Sequence, residues 1–159
     1  MIRTGIGYDS HRLRADRRLV IGGVEIPHAR GLEGHSDADV LAHAVIDALL
    51  GAAGLGDIGE HFPDTEERWR EADSIELLQV IVSRVLADGL QIVNVDCTVV
   101  MEVPKLAPYR AAIRDRLAHA LGLEARRVNV KASTGEGMGF VGRGEGVAAL
   151  AVASLQSAG

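Results

Sequence analysis

Hydrophobic side chains recur at two different spacings along the chain, and each spacing predicts a different element. At the N-terminus every second residue belongs to one face: Ile2, Thr4, Ile6 and Tyr8. This period of two predicts a strand that ends at Asp9. Between residues 36 and 54 the apolar positions have helical spacing, and Ser36 or Asp37 is the predicted N-cap. The N-terminal part of the chain therefore begins with a strand and continues into a helix.

The segments around this first helix are predicted from glycines and caps. Gly22 and Gly23 separate two short apolar runs, which is typical of a hairpin. A capping-box spacing followed by an apolar stripe predicts a second long helix over 73–89. The intervening segment 54–72 has no sustained period and is predicted to be a long loop, a kind of segment that often carries function.

The second half of the chain repeats the alternation of strands and helices. Residues 92–102 alternate between an apolar face that includes Val93 and a polar face. A helix is predicted over 105–122, and further strands are predicted over 126–133 and 145–155. The sequence therefore predicts three long helices and several strands.

Interleaved strands and helices predict an α/β fold, specifically an α+β sandwich in which helices cover one face of a mixed sheet. With 159 residues, of which 47% are hydrophobic, the chain can bury one core but is too short for two ordinary domains. We therefore expect a single domain over residues 1–159. The polar sheet face then contacts either solvent or other copies of the chain in an oligomer.

Composition excludes several classes of partner. The net charge of −5 argues against nucleic acid and against anionic membrane surfaces, and 3% aromatic residues offer few stacking platforms. No apolar segment is long enough to span a bilayer, and the N-terminus does not have the pattern of a signal peptide. Cys97 is the single cysteine, so no intrachain disulfide can form. These features predict a soluble protein of the reducing cytoplasm.

The stretch GIGYDSH, residues 5–11, has two interpretations. A glycine-rich turn around a phosphate would need a third glycine at the start of a helix, which this sequence does not have. Alternatively, a strand end presents Asp9 and His11 to a metal, since residues two apart on a strand share a face. A third ligand is then required, and His43 in the first helix is the candidate.

An Asp and two His form a ligand set that suits zinc and leaves a fourth position open for substrate or water. Asp39 and Asp47 lie one helical turn either side of His43 and are predicted to fix its tautomer. The alternative is that His43 is an ordinary helix residue and Asp9 a turn former. Spacing alone leaves both interpretations open.

Several motifs together resemble one enzyme family: GIGYDSHRL, a long block from IGGVEIP to EHFPDT, ADSIELL, VPKLAPY, NVKAS and GFVGRGEG. These motifs, in this order over the whole chain, are similar to the 2-C-methyl-D-erythritol 2,4-cyclodiphosphate synthases of non-mevalonate isoprenoid biosynthesis. The resemblance implies a homotrimer of single α/β domains whose open sheet faces pack inward. It also implies conversion of 4-diphosphocytidyl-2-C-methyl-D-erythritol 2-phosphate to the cyclic diphosphate and CMP.

The resemblance also implies metal and catalytic roles. Zn²⁺ is expected at Asp9, His11 and His43, and Mg²⁺ or Mn²⁺ is expected between Glu136 and the substrate phosphates. His35 and Thr134 are the expected catalytic residues, acting as polar stabilisers of a phosphoryl transfer without a covalent enzyme intermediate.

Substrate contacts implied by the resemblance fall into three groups. The phosphate and erythritol side is expected at Ser36, Asp57, Ile58, Gly59, Phe62, Pro63, Asp64, Thr65 and Glu66. The cytidine side, held by the neighbouring subunit, is expected at Met101, Pro104, Lys105, Leu106, Ala107, Ser133 and Gly135. Phe140 and Arg143 are further candidates. Arg143 resembles a residue that lines a central trimer cavity able to hold an isoprenoid diphosphate, and an intersubunit ion pair with Glu145 is the alternative.

One departure and two rival functions accompany this resemblance. Gly135 stands where the family often has a threonine, so one hydroxyl contact is absent or replaced by main chain. A metal-dependent phosphohydrolase would use the same Asp and His residues but would release inorganic phosphate. A non-catalytic trimer that binds nucleotides or isoprenoid phosphates would not need all three metal ligands.

Overall fold

A five-stranded mixed sheet forms the base of the computed structural model, which describes residues 1–159. The strands in chain order are β1 (Ile2–Ala15), β2 (Leu19–Ile21), β3 (Val24–Ile26), β4 (Arg30–Leu32), β5 (Leu90–Val100), β6 (Val128–Ser133) and β7 (Gly146–Ser157). The sheet order is β4-β1-β7-β5-β6, and β2 and β3 form a separate hairpin. Only β5 and β6 are parallel, and the other neighbours are antiparallel. The predicted mixed sheet and the hairpin are confirmed.

Helices cover one face of this sheet and enclose the core. The helices are α1 (Val40–Ala53), α2 (Ile58–His61), α3 (Ser74–Ala87), α4 (Arg110–Leu121) and α5 (Gly139–Gly142), with 3-10 turns at Glu67–Trp69, Ala107–Tyr109 and Ala125–Arg127. Leu49, Leu78 and Ile113 are fully buried between the long helices and the sheet. The predicted α+β architecture is confirmed. The expected long loop at 54–72 is instead interrupted by α2 and by the first 3-10 turn.

Helix α1 lies directly against the backbone of β1. A Cβ atom at Gly5 would overlap the carbonyl oxygen of Ala48, and one at Gly7 would overlap the carbonyl oxygen of Ala44. Both glycines face the helix layer, because they are buried while their strand neighbours are exposed. The glycines of GIGYDSH therefore form neither a phosphate turn nor a strand end. They allow close packing of helix on strand.

Strand β1 continues well beyond Asp9, so the predicted strand end is wrong. Asp9 pairs with Ala149 of β7, and His11 pairs with Val147 two positions further on. Both lie on the same strand face as Gly5 and Gly7. Asp9 and His11 are therefore held by antiparallel pairing on one side of a regular strand, which fixes their positions more firmly than a strand end would.

The N-cap of α1 is Asp39, and neither Ser36 nor Asp37 fills this position. The Asp39 carboxylate is fully buried and accepts hydrogen bonds from the backbone N–H of Gly22, Gly23 and Ala42. One side chain thus caps the helix and also ties the β2–β3 turn to it. Burial raises the pKa of Asp39 to about 6, and the nearby Asp37 adds to the rise against these backbone hydrogen bonds.

The sheet face away from the helices is partly apolar, although the sequence predicts a polar face. Ile2 and Ile6 of β1 are about 70% exposed, at 72% and 69%. Tyr8 is also exposed, and it lies opposite Leu150 of β7. Strand β5 supplies the expected polar positions. A bulge at 92–94 places Ile92 in the core, so the prediction of Val93 on the buried face is wrong.

Cys97 is buried in β5, as expected for a small apolar side chain, and burial raises the pKa of its thiol to about 12. None of the helices has the length and apolar character required to cross a bilayer.

Replacement of Gly5 by alanine is expected to destabilise the protein by about 3 kcal/mol, because the backbones of β1 and α1 leave no space for a methyl group. Gly51→Ala is the matched control in the same contact, since its Cβ would lie 3.8 Å from the Gly5 Cα atom. This helical position should tolerate alanine or gain up to ~1 kcal/mol. Urea unfolding at one protein concentration measures both. Equal stability of the two variants would contradict the close approach.

Candidate active site

Three side chains from two elements meet at the N-terminal end of α1. The Asp9 Oδ2 atom lies 2.7 Å from His11 Nε2 and 3.0 Å from His43 Nδ1. The two ring nitrogens are 3.2 Å apart. One ligand atom from each residue lies within 4.8 Å of the others, so the group can hold a metal ion. The structure thus brings together the three ligands that the sequence predicts.

Outer hydrogen bonds leave the correct nitrogen of each histidine free for a metal. His11 Nδ1 lies 2.9 Å from the carbonyl oxygen of Glu33, and this acceptor holds a proton on Nδ1, so Nε2 is the nitrogen that a metal would bind in place of its proton. His43 Nε2 lies 2.8 Å from the Ser74 hydroxyl, which leaves Nδ1 toward Asp9. The donor set, two neutral imidazoles and one carboxylate, fits a zinc-type ion.

Asp39 and Asp47 do not orient His43, so that prediction is wrong. Asp39 is used by the helix cap and the hairpin turn, and Asp47 accepts a hydrogen bond from the Ile58 backbone N–H at 2.8 Å. The i±4 spacing places these carboxylates beside His43, but both accept hydrogen bonds from backbone N–H groups and neither binds the imidazole. The partner of His43 comes from α3 instead.

The cluster is electrostatically paired in the metal-free protein. Burial raises the pKa of Asp9, but hydrogen bonds and charge from His11 and His43 outweigh it and lower the pKa to about 2. Burial correspondingly lowers the pKa of His11, and Asp9 outweighs that effect, so the pKa rises above its usual value. The carboxylate is therefore ionised, as a metal ligand must be.

A cavity of about 460 Å³ opens beside the metal cluster and is called the metal cavity here. It is lined by His11, Gly34, His35, Ser36, His43, Ile58, Gly59, Phe62, Pro63, Asp64, Thr65, Trp69 and Leu77. Most of the predicted phosphate and erythritol residues are thus brought together. Asp57 lies outside it as the N-cap of α2, and Glu66 reaches the site only through its carbonyl oxygen, 2.9 Å from His35 Nε2.

His35 and Ser36 lie in the loop before α1 and not at its first turn, three or four residues before the N-cap Asp39. The Ser36 hydroxyl is 3.1 Å from His43 Nε2 and accepts the backbone N–H of Ala38. Both side chains still face the metal cavity. A ligand in this cavity would therefore meet the side chains of His35 and Ser36 and not the N-terminus of a helix.

Trp69 is a cavity residue that the sequence prediction missed. Its ring packs edge-on against Phe62, with centroids 5.0 Å apart, and its indole Nε1 is buried without a hydrogen-bond partner in the chain. It is the only tryptophan of the sequence and lies in the predicted functional loop, which is the signal that could have found it. Leu77 and Ser74 were also missed, because they belong to a helix that shows only an apolar stripe.

A second cavity of about 370 Å³ lies at the C-terminal ends of the parallel strands β5 and β6 and is called the strand-end cavity here. Its lining is Val99, Met101, Glu102, Pro104, Lys105, Leu106, Ala107, Arg110, Ala132, Ser133, Thr134 and Glu136. Nearly all predicted cytidine-side residues are included. Glu102 and Arg110 are additional, and they add a carboxylate and a cation to the expected Lys105.

The remaining predicted residues lie elsewhere. Gly135 is not part of the lining, and its backbone N–H donates to the Glu102 carboxylate. Phe140 lies beside Arg12 and Glu145 at a third, smaller cavity. Arg143 forms an exposed ion pair with Glu145 at 3.2 Å. Neither Phe140 nor Arg143 lines the two main cavities, but the third cavity shares His11 with the metal cavity.

The fold and the site define a class of protein: an α+β domain with a carboxylate-histidine metal centre and an adjoining polar cavity. The profile of the YgbB family matches residues 2–156, and the chain therefore belongs to the YgbB family.

Relatives of known sequence and structure agree with this assignment. A protein from Symbiobacterium thermophilum named 2-C-methyl-D-erythritol 2,4-cyclodiphosphate synthase is 60% identical over 151 residues, which is 95% of this chain and 96% of that protein. A solved 2C-methyl-D-erythritol-2,4-cyclodiphosphate synthase in a CDP-bound form has a TM-score of 0.89 and 40% identity, covering 97% of this chain and 100% of that one. The bifunctional IspDF of Campylobacter jejuni has a TM-score of 0.95 and 45% identity, with 99% of this chain matching 42% of that larger one.

Asp9→Asn is expected to destabilise the metal-free protein by roughly 1–2 kcal/mol, most strongly between about pH 4 and 6. The lowered pKa of Asp9 contributes stability above 3.8 that is lost as the pH falls toward 2. The raised pKa of His11 contributes stability below 6.5 that is lost as the pH rises through it. Urea unfolding of chelator-treated protein from pH 3 to 9 measures this. Asp16→Asn, in an exposed turn, is the control, and a pH-independent difference for Asp9→Asn would contradict the pairing.

Proposed function

We propose that this chain converts 4-diphosphocytidyl-2-C-methyl-D-erythritol 2-phosphate to 2-C-methyl-D-erythritol 2,4-cyclodiphosphate and CMP. The observation that carries the proposal is the Asp9, His11 and His43 cluster beside the metal cavity, in a member of the YgbB family. The names of the relatives supply the product, and the cavities supply the polar groups that such a substrate needs. The enzyme is then a lyase acting on phosphorus–oxygen bonds, working as one domain over residues 1–159.

The reaction is an intramolecular phosphoryl transfer. An oxygen of the 2-phosphate forms a bond to the β-phosphorus, the bond from that phosphorus to the CMP oxygen breaks, and CMP leaves with the electron pair. Zn²⁺ held by Asp9, His11 and His43, with Mg²⁺ or Mn²⁺ at Glu136, supplies charge neutralisation when bound. The protein must fold a flexible anion back on itself, so positioning accounts for much of the rate.

The cavity residues have separable roles in this proposal. His35 and Ser36 contact the phosphate beside the metal cluster, while Asp57, Ile58, Gly59 and residues 62–66 hold the erythritol unit. In the strand-end cavity, Lys105 with the 101–107 main chain holds cytidine. Thr134 donates to a phosphate oxygen there, and Ser133 and Gly135 support that loop.

We further propose that the protein is a homotrimer with sites shared between subunits. The metal cavity and the strand-end cavity have no residue in common, and β7 separates β1 from β5 in the sheet. The exposed apolar side chains of β1 and β7 support inward packing of the open sheet face. In a head-to-tail ring, the metal cavity of one subunit adjoins the strand-end cavity of the next.

Two further parts of the proposal concern the central cavity of the trimer and the cellular location of the protein. An isoprenoid diphosphate in a central trimer cavity would use the cation of Arg143 and the exposed ring of Phe140, whereas the Arg143–Glu145 ion pair is the competing role of that arginine. The reducing cytoplasm is the proposed location, since the buried Cys97 thiol is the only one in the sequence.

Product analysis by phosphorus NMR tests the activity. Purified protein with zinc and magnesium should convert the diphosphocytidyl substrate to cyclic diphosphate and CMP in equal amounts, without inorganic phosphate. His43→Ala should lower kcat/KM at least ~100-fold, because losing a direct ligand costs at least as much as losing a residue that orients one. Ser83→Ala, on the exposed side of α3, is the control and should not change the rate. Release of inorganic phosphate would favour a phosphohydrolase, and binding without turnover would favour a non-catalytic protein.

Mixed trimers test the shared site. His43→Ala and Glu136→Ala subunits, each inactive alone, should regain activity when co-assembled, because some interfaces combine an intact metal cavity with an intact strand-end cavity. Random 1:1 assembly in a closed ring makes about a quarter of the interfaces intact. Tandem affinity isolation of differently tagged subunits, followed by a CMP-release assay, measures the recovery. Inactive trimers proven to be mixed would place the whole site within one chain.

A further inference from the structure

Ser74 connects the metal cluster to the interior of the protein. It is the first residue of α3, it is fully buried, and its Oγ lies 2.8 Å from His43 Nε2. Asp37 binds it from the other side, with Oδ1 at 2.5 Å from the Ser74 hydroxyl and Oδ2 at 3.1 Å from its backbone N–H. These contacts form a continuous chain from Asp37 through Ser74 to the imidazole.

The Asp37 carboxylate sets the direction of each hydrogen bond in this chain of side chains. An ionised carboxylate can only accept, so the Ser74 O–H donates to Asp37. The Ser74 oxygen then has lone pairs for His43, whose Nε2 must carry the proton. His43 Nδ1 is therefore the nitrogen left for a metal; in the metal-free protein its proton is donated to Asp9 Oδ2 at 3.0 Å, and a metal would take the place of that proton.

A second serine lies close to the same nitrogen but is oriented differently. Ser36 Oγ is 3.1 Å from His43 Nε2 and 3.5 Å from Ser74 Oγ. It already accepts the Ala38 N–H and faces the metal cavity, whereas Ser74 is absent from the cavity lining. Ser36 can therefore turn its proton toward a ligand, and Ser74 cannot.

We propose that Asp37 and Ser74 are positioning residues that fix His43 in its Nε2–H tautomer and hold Nδ1 ready for the metal. This inference rests on the metal site of the proposed function but not on the reaction catalysed there. Neither residue contacts the metal ligand atoms of Asp9 or His11. Their effect passes through the orientation and tautomer of a single ring.

Backbone contacts make this arrangement rigid. The Asp37 N–H donates to the Ala72 carbonyl at 3.1 Å, and the Glu71 N–H donates to the His35 carbonyl at 2.8 Å. The loop before α1 and the loop before α3 are thus paired side by side. Asp37 also accepts the Asp39 N–H, so its carboxylate is fixed by backbone on both sides.

Measurement of the zinc affinity is expected to distinguish the role of Ser74 from that of Ser36. Competition with a chromophoric chelator should show a ~10–100-fold weaker Kd for Ser74→Ala, the range for residues that orient a metal ligand. Ser36→Ala, the matched control, should change the Kd less than about threefold, since its loss leaves the Asp37–Ser74–His43 chain intact. Asp37→Asn should weaken binding less than Ser74→Ala, because an amide oxygen still accepts from Ser74. Unchanged affinity in Ser74→Ala, or equal losses in both serine variants, would overturn the proposal.

The tautomer can be read without any substitution. Long-range ¹H–¹⁵N correlation of the zinc-loaded wild-type protein should show His43 protonated at Nε2, with Nδ1 bound to the metal. Protonation at Nδ1 would overturn the proposal even if Ser74→Ala failed to fold.

These outcomes are separable from those of the proposed function. Wild-type protein that binds no zinc would overturn the proposed metal site itself. Wild-type protein that binds zinc but forms no cyclic diphosphate would overturn the reaction and leave the roles of Asp37 and Ser74 standing. Normal catalysis with unaltered zinc affinity in Ser74→Ala would overturn only the positioning roles.

Discussion

The contact of the α1 backbone with the β1 backbone is the constraint on which the site depends. At Gly5 and Gly7 no side chain separates the two elements, so the helix lies as close to the sheet as its own main chain allows. His43 immediately precedes Ala44, whose carbonyl oxygen forms the contact with Gly7. The imidazole is therefore brought over Asp9 and His11, the next two positions of the same strand face. Larger residues at the glycines would separate ligands that belong to two different elements.

The two cavities differ in the charged side chains that line them. The lining of the metal cavity contains no lysine or arginine, whereas the strand-end cavity contains Lys105 and Arg110. In a chain of net charge −5, a phosphate beside Asp9 and Asp64 would meet repulsion from fixed carboxylates. A divalent cation in the cluster reverses that local sign. Anion binding beside the cluster would therefore need a metal ion, whereas the strand-end cavity has side-chain cations of its own.

Much of this architecture could be predicted from the sequence, because periodicity reports which face of an element is buried. The helices and the hairpin follow from local spacing, whereas spacing only nominates Asp9, His11 and His43 and the motif resemblance assigns them to a metal. The partner of His43 does not, because Ser74 is distant in sequence and its role depends on the pairing of two loops. Asp39 shows the same limit: local spacing assigns it to His43, but tertiary contact assigns it to the hairpin turn. The apolar character of the sheet face away from the helices was not predicted either, because alternation gives the same pattern for a face in the core and for a face between subunits.

Close packing around Gly135 leaves no room for a larger side chain. A Cβ there would lie 2.8 Å from the Gly142 nitrogen and 2.9 Å from the Met138 carbonyl oxygen, so this loop is folded too tightly for threonine. Its backbone N–H donates to the Glu102 carboxylate. Thr134 instead accepts the Glu136 N–H at 3.1 Å, which orients both side chains at the edge of the strand-end cavity. Thr134 and Glu136 therefore both line the strand-end cavity, and Glu102 holds the turn between them.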